Sequence, residues 1–577
     1  MSPILHRFAS ITHSVLTGFV VAPDYDRESQ PILMNTITAY RYASIFWISL
    51  LSTVILFVFH WNEVSSLADE GVHWYASQRI LFGGVPILDY SSYDPGRYYW
   101  TAALMWLFGD SDFFLYRVGA ATFQFLGLYV SLLIISYHQK NRKVDIFYLM
   151  LCSMVLCIWM STYLLSFNYT VLVCLFFVLI RVVGVPCKQN IFIAGIALGL
   201  AAVFGRNLAV YGAFAYLCAL AWTHLERNEK LETTVFQSIY IGFFGICLGY
   251  LPVLCMFLFV SGFFQAFIKS IQLLVDAGST NIPLRLPMPW HFSWGQLVSS
   301  DTALSLRESR KLGTGLFFVL NVVAILSLAI WLTIKKFRGE RVIPIVVALT
   351  FLLLFSLHYP FSRASLVKIA LTTIPVLITT LALVSSFHIF IKCGLAILVL
   401  AMSLFTFNTM DHCTSQENCT EIVIRGDVLN TSIRKYRKLE RINHIVNAYA
   451  PGEEDSFAVL PAMAFSNAQW QRESPINSLY AVFPRAKWHQ KEEIERIKKN
   501  RPAFIVVQEA EGESPWNYRH TNPLVYEFIK NNFDEPDAWE PPGYELFTIP
   551  RACEKSESVI SENGVSDCPW FSGDHEP

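Results

Sequence analysis

Asp69 and Glu70 stand side by side in "LADEGVHWYASQRILFGGVPILDYSSYDPG" (67–96), just after a strongly apolar stretch. Adjacent carboxylates repel each other and are costly to hold near lipid, so the pair needs a task. One task is structural, since acids are favoured in the first turn of a helix. The other is chemical: a carboxylate here can take a proton from a hydroxyl while a second substrate is anchored in lipid. The surroundings favour chemistry. "DEGVHWYASQRILFGG" has the spacing of a helix lying in a membrane interface, and "VPILDYSSYDPG" turns back towards the membrane. Trp74, Tyr75, Tyr90, Tyr93, Tyr98, Tyr99, Trp100 and Trp106 form an aromatic belt suited to headgroup depth. His73 reads as an interfacial residue rather than a ligand.

The elements that must position these groups are membrane spans. The chain has 577 residues, of which 54% are hydrophobic and 15% charged, with a mean hydropathy of +0.41. Soluble domains run nearer about 25% charged. Spans are expected at about 42–60, 113–137, 146–164, 168–184, 190–204, 208–223, 234–260, 314–334, 342–357, 366–385 and 388–407, about eleven in all. Residues 1–41 lack the apolar core and cleavage site of a signal peptide, so the first span is expected to be permanent. Lys140, Arg142 and Lys143, then Lys335, Lys336, Arg338 and Arg341, fall on one side together with Arg181, Lys188, Arg227 and Lys230. By the positive-inside rule that side, with the N-terminal segment 1–41, is the cytosol. The long loops 61–112 and 261–313 and everything beyond 408 then share the other compartment. A net charge of −1 gives no reason to expect nucleic acid.

Residues 408–577 are expected to form a small extracytoplasmic α/β domain with a polar tail. "FAVLPA" (457–462), "AFIVVQE" (503–509) and "YELFTI" (544–549) have strand length and pattern, and "HQKEEIERIKKNRP" reads as a surface helix ended by Pro502. Eight of the 12 cysteines precede Cys413, nearly all in apolar segments; Cys413, Cys419, Cys553 and Cys568 lie in the polar region. An even set there fits disulfides in an oxidising compartment, with Cys413–Cys419 and Cys553–Cys568 the simplest pairing. Asn418 and Asn430 head glycosylation sequons. The stretch "STNIPLRLPMPWHFSW" (279–294) is expected to act as a lid.

The order of an apolar span, Asp-Glu-Gly, a helix, "GGVPILDYSSYDPG" and "LFGDSDFFLYRVGAA" resembles the GT-C glycosyltransferases, in particular protein O-mannosyltransferases and aminoarabinose transferases. The resemblance is strongest over 69–120 and looser through the other spans. It returns in "VLPAMAFSNAQWQRESPIN", "EEIERIKKNRPAFIVVQE" and "GYELFTIPR", which look like the periplasmic domain of bacterial relatives. In that family an acid after the first span is the catalytic base, followed by a G-x-P-Y-x-D turn and an Arg entering the next span. Asp69, Glu70, Asp89 and Arg117 occupy those positions, with "PILDY" standing where the family often has "PYRDF". The resemblance implies a polyprenyl-phosphate sugar donor, inverting transfer, and catalysis on the outer face with no required cofactor.

Under that resemblance Asp69 is the base, and Glu70 orients it, contacts the acceptor or raises its proton affinity. A divalent metal shared by the two acids is an alternative, although no cluster at ligand spacing supports it. The departing phosphate gains charge, so fixed cations should face it. Arg117, Arg206 in "VFGRNLAVYG", and Arg363 and Lys368 in "HYPFSRASLVKIAL" are the candidates, although a cation at a span end can merely snorkel. Asp89 and Tyr93 join them as substrate-binding candidates. The expected acceptor is an envelope glycan, a lipid or a protein hydroxyl. The expected site is the periplasmic face of a bacterial inner membrane, or the lumenal face of the endoplasmic reticulum in a eukaryote. The rival readings are a lipid-linked glycan transporter, which would show repeated halves with matching broken helices, and an oligosaccharide polymerase or ligase.

Overall fold

The computed structural model describes residues 31–92, 94–139, 145–225, 234–277, 284–407, 419–508, 517–536 and 543–549. The first span is α1 (Pro31–His60), followed by α2 (Asp69–Leu81) and α3 (Pro95–Phe108) in the first long loop. The bundle continues with α4 (Phe113–Tyr137), α5 (Ile146–Trp159), α6 (Ser166–Gly184), α7 (Lys188–Phe204) and α8 (Arg206–Leu225). Then come α9 (Val235–Gly249), α10 (Leu251–Phe259), α11 (Phe263–Ala277) and α12 (Thr302–Phe337). The last apolar helices are α13 (Pro344–Ser356), α14 (Leu366–Val384) and α15 (Ile389–Phe407).

Among the described residues eight helices are long and apolar enough to cross a membrane, or nine if a bent pair counts as one. The protein is integral to a membrane. The segments expected at 146–164 and 190–204 form the shorter apolar helices α5 and α7. The expected span 234–260 is broken: α9 and α10 meet at 60°, where Pro252 enters the second helix without an amide hydrogen to donate. α12 begins twelve residues before the expected 314, because no proline interrupts its polar first turns. Glycines set one helix pair. A Cβ on Gly195 would lie 2.2 Å from the Gly242 carbonyl oxygen, and one on Gly249 2.2 Å from that of Ile196. α7 and α9 therefore pack backbone against backbone, as small residues allow in membranes.

Beyond the bundle, β1 (Cys419–Ile424) and β2 (Asp427–Ser432) form an antiparallel hairpin, followed by α16 (Ile433–Tyr449). A three-stranded sheet of β3 (Phe457–Leu460), β4 (Phe504–Gln508) and β5 (Tyr544–Thr548) has order β3-β4-β5. β3 and β4 are parallel, and β5 is antiparallel to β4. The helices α17 (Ala464–Trp470) and α18 (Lys487–Asn500) lie between β3 and β4, and α19 (Pro523–Asn532) follows β4. The three sequence-expected strands and the helix ending at Pro502 are present; the hairpin and α16 went unforeseen. Cys419 is disulfide-bonded, while Cys413, Cys553, Cys568 and Asn418 lie outside the described residues.

This domain is fused to the first long loop. The Val64 amide donates to the Asn430 carbonyl at 2.9 Å, and the Asn430 amide to that of Asn62 at 2.7 Å. A Cβ on Gly71 would meet the Phe465 backbone nitrogen at 2.4 Å, so this glycine lets α2 lie directly on α17. Trp74 stacks edge-on to Phe465 and Phe113, and its indole donates to the Ser111 carbonyl at 2.9 Å. The expectation that α2 lies in the membrane interface is thus corrected. Residues Glu70–Gln78 are buried, because α17 covers the face that would meet headgroups. Of the expected aromatic belt, Trp74, Tyr75, Tyr90 and Tyr98 are core residues, whereas Tyr99, Trp100 and Trp106 remain exposed.

Candidate active site

The two adjacent acids have different surroundings. Glu70 is fully buried. Its Oε1 accepts from the Ser65 hydroxyl at 2.8 Å and pairs with Arg117 Nη1 at 2.9 Å. Its Oε2 accepts from the Ser65 and Ser66 amides at 3.0 and 3.3 Å. Arg117 also donates to the Glu63 carbonyl, and its guanidinium lies over Tyr163, Phe113 and Tyr116. Glu70 and Arg117 thereby fasten the start of α4 to the turn that launches α2. Asp69 is half-buried, and among the described residues its carboxylate accepts one hydrogen bond, of 3.2 Å from the Ser66 hydroxyl, which in turn accepts from the Asp69 amide. Of the pair, Asp69 is the carboxylate with an oxygen left to offer. Among the described residues no group of three or more His, Cys, Asp or Glu side chains is arranged to hold a metal ion.

One cation feels the Asp69 charge. The Lys368 ammonium, one turn into α14, interacts electrostatically with Asp69, Arg97 and Arg363, and it lies over the Tyr359 ring at 5.3 Å. Neither Lys368 nor Arg363 has a carboxylate oxygen within 4.0 Å among the described residues, and Arg363 Nε is buried without a hydrogen-bond partner. Arg206 is positioned differently. Asp94 Oδ1 accepts from its backbone amide at 3.0 Å and its Nε at 3.1 Å, while Asp94 Oδ2 pairs with Arg97 Nη2 at 3.1 Å. Arg97 Nη2 also donates to the Phe204 carbonyl at 2.6 Å.

Asp94 and Arg97 were missed in the sequence. They lie within "YDPGR", where a buried acid opens α3 and an arginine follows three residues later inside an apolar helix. That buried i, i+3 ion pair was the available signal. Asp89 closes a turn, its Oδ2 accepting from the Val85 amide at 2.7 Å, while its side chain is exposed. Ile87 in the same turn has φ +76°, a conformation costly for a β-branched residue. Tyr93 lies outside the described residues.

The extramembrane domain reaches the same place. Tyr480 interacts with the charges of both Asp69 and Arg363, and burial pushes its phenol up to about 12. The loop carrying it is fixed to the first long loop: the Ser91 amide donates to the Asn477 carbonyl at 2.8 Å, and the Leu479 amide to Ser91 Oγ at 3.2 Å. Glu493 of α18 holds that loop from behind, accepting from the Asn477 and Ser478 amides. Burial raises Glu493 to about 7 and lowers its neighbour His489 to about 4. Nearer the membrane, burial and the Arg97 charge keep His73 neutral.

A cavity of about 650 Å³ lies among α11, α18 and the turn at 87–92; Val72, Arg206 and Tyr480 line it. Val72 is one turn beyond Asp69 on α2, so the cavity adjoins the acid. α11 meets α18 through Lys269–Glu492 and through the Trp488 indole donating to Asp276 at 2.9 Å. The described part of the expected lid, 284–294, is elsewhere: its backbone at Pro287–Pro289 packs against Gly315 of α12, and none of it lines the cavity.

No family model matches the sequence, and no curated protein matches it. Solved structures do. The crystal structure of ArnT from Cupriavidus metallidurans bound to undecaprenyl phosphate is 13% identical, with a TM-score of 0.50, and the match covers 87% of this chain and 97% of that one. The archaeal oligosaccharyltransferase AglB from Archaeoglobus fulgidus, in complex with an inhibitory peptide and a dolichol-phosphate, is 13% identical with a TM-score of 0.41, covering 89% and 75%. The likeness to ArnT gives the fold: a GT-C membrane architecture carrying a small strand-containing C-terminal domain.

Proposed function

We propose that the protein is an inverting glycosyltransferase that moves a sugar from a polyprenyl-phosphate donor to a hydroxyl on an extracytoplasmic acceptor. The observation that carries this reading is the electrostatic interaction of Lys368 with the half-buried carboxylate Asp69 and with Arg363; Lys368 and Arg363 both lack a carboxylate partner within 4.0 Å among the described residues. Asp69 takes the acceptor proton as the acceptor oxygen bonds to the anomeric carbon. The bond from that carbon to the phosphate oxygen breaks on the opposite face, and the electron pair leaves with the polyprenyl phosphate. Arg363 and Lys368 stabilise the charge that develops there. Asp94 and Arg97 hold Arg206 at the rim, and Glu70 with Arg117 keeps α2 and α4 in register. The acceptor reaches Asp69 from the 650 Å³ cavity, past Tyr480. The ArnT structure of the same fold, bound to undecaprenyl phosphate, supports a lipid-phosphate donor. The positive-inside pattern supports a site facing the periplasm, or the lumen in a eukaryote.

The test is release of free polyprenyl phosphate from a labelled polyprenyl-phosphate sugar by the purified protein. Release that depends on added acceptor and disappears in Asp69→Asn is expected. Translocation of intact donor across a vesicle without release would make the protein a transporter.

A further inference from the structure

A second cavity lies at the other end of the bundle. It measures about 450 Å³ and is lined by Arg41 and Tyr42 of α1, Tyr137 of α4, Arg181 of α6 and Pro344 of α13. Nineteen residues of α1 separate Arg41 from His60, about 28 Å at 1.5 Å per residue. The cavity is therefore a bilayer's breadth from Asp69 and belongs to no part of the site described above.

Its chemistry is specific. Arg41 and Arg181 come from different spans, yet both act electrostatically on the Tyr42 hydroxyl, with Tyr137 beside it. Among the described residues the wall holds no Asp or Glu. Apart from Ser136 and His138 the rest is apolar, including Leu133, Ile134, Phe177, Ile180 and Ile343. Arginines that only snorkel spread over a helix-bundle rim. These two instead face one concavity, whose size is within the range of about 300–1,000 Å³ typical of small-molecule sites. A ligand that suits it carries an anionic group, which guanidinium forks grip in bidentate fashion, joined to an apolar body. In a bilayer that description is met by a phospholipid of net negative charge, whose headgroups occupy basic pockets between spans.

We infer that this cavity binds the headgroup phosphate of an anionic glycerophospholipid, independently of the transfer reaction. The test uses the full chain, delipidated in detergent and titrated separately with phosphatidylglycerol, phosphatidylcholine and inorganic phosphate. Thermal unfolding and native mass spectrometry read binding. Phosphatidylglycerol should bind more tightly than phosphatidylcholine by about tenfold or more, and the double variant Arg41→Gln/Arg181→Gln should lose that preference. Inorganic phosphate alone should leave the unfolding temperature unchanged. Equal binding of the two lipids, or an unaltered preference in the double variant, overturns the assignment. Protection by inorganic phosphate equal to that by phosphatidylglycerol makes the site one for the free ion, and overturns it also. If the double variant does not fold, Arg181→Lys serves instead: it keeps the charge without the fork and should weaken the preference, and no change overturns the inference.

Discussion

The Glu70 carboxylate and the Arg117 guanidinium meet at 2.9 Å with side chains 1% and 2% exposed. Cutting either partner leaves the other charged and buried, which costs about 3–5 kcal/mol. Glu70→Ala and Arg117→Ala should each lower the unfolding temperature sharply in detergent, whereas Asp69→Ala should shift it little. Equal destabilisation by all three would show that the two acids share one structural role.

Asp69→Asn keeps the shape of the side chain and removes the base. Initial rates of sugar transfer should fall by roughly 100–10,000-fold, with donor affinity preserved in a direct binding assay. A rate within about tenfold of the unmodified protein would place the base elsewhere.

Arg363→Ala and Lys368→Ala should each slow transfer by an amount comparable to losing an oxyanion donor, about 3–4 kcal/mol of transition-state stabilisation. Arg363→Lys should recover part of the rate, since lysine keeps the charge and lacks the planar fork. Single-turnover measurements separate this loss from slower product release. Full activity in both alanine variants would remove these cations from the leaving-group site.

Gly71→Val tests the seam between α2 and α17. The added Cβ meets Phe465 backbone nitrogen at 2.4 Å, and backbone cannot swing aside as a side chain can, so overpacking of about 1–3 kcal/mol is expected. Hydrogen exchange across 464–474 should quicken while the helices of the bundle stay protected. Unchanged exchange there would mean that the two helices can separate without loss.

The pH response of the extramembrane domain should reveal two opposed titrations. Glu493, near 7 when folded, is raised above its unfolded value of about 4.3. Its contribution is full below that value and is lost as pH rises towards 7. His489, near 4 when folded, is depressed from about 6.5. Its contribution is present above 6.5 and is lost as pH falls towards 4. His489→Gln should leave stability that declines between about pH 4.5 and 7, and Glu493→Gln stability that rises between about pH 4 and 6.5. Urea unfolding followed by tryptophan fluorescence reads both. Slopes of the same sign in the two variants would contradict the assignment.

Most of the helices and the candidate pair of acids were readable because their signals are local. Apolar runs mark spans, and the strands at Phe457, Phe504 and Tyr544 have the length and β-branched or aromatic content of buried strands. Asp69 and Glu70 looked alike in the sequence because their difference is made by residues far along the chain or across the turn: Arg117, the Ser65 hydroxyl and the Ser65 and Ser66 amides capture one acid and leave the other. The aromatic residues of α2 read as interfacial for a similar reason. Nothing near residue 74 announces that Phe465 will lie against it. Asp94 and Arg97 stayed hidden because Arg206, which shares the Asp94 carboxylate with Arg97, is over a hundred positions away. The hairpin β1–β2 was missed because its strands lack a clean apolar alternation, and its Asn430, opposite Glu421 in the ladder, also pairs with the loop after α1.

Tyr480 interacts with the charge of Asp69 although about four hundred residues of chain separate them. Translation runs in one direction, so a ribosome that has delivered every apolar helix has made Asp69, Arg363 and Lys368 but not the segment that carries Tyr480. The cavity that Tyr480 lines is finished last, when the segment anchored by Glu493 folds back onto Ser91. A chain cut short before residue 477 therefore leaves Ser91 without the backbone partners that cover it in the whole protein.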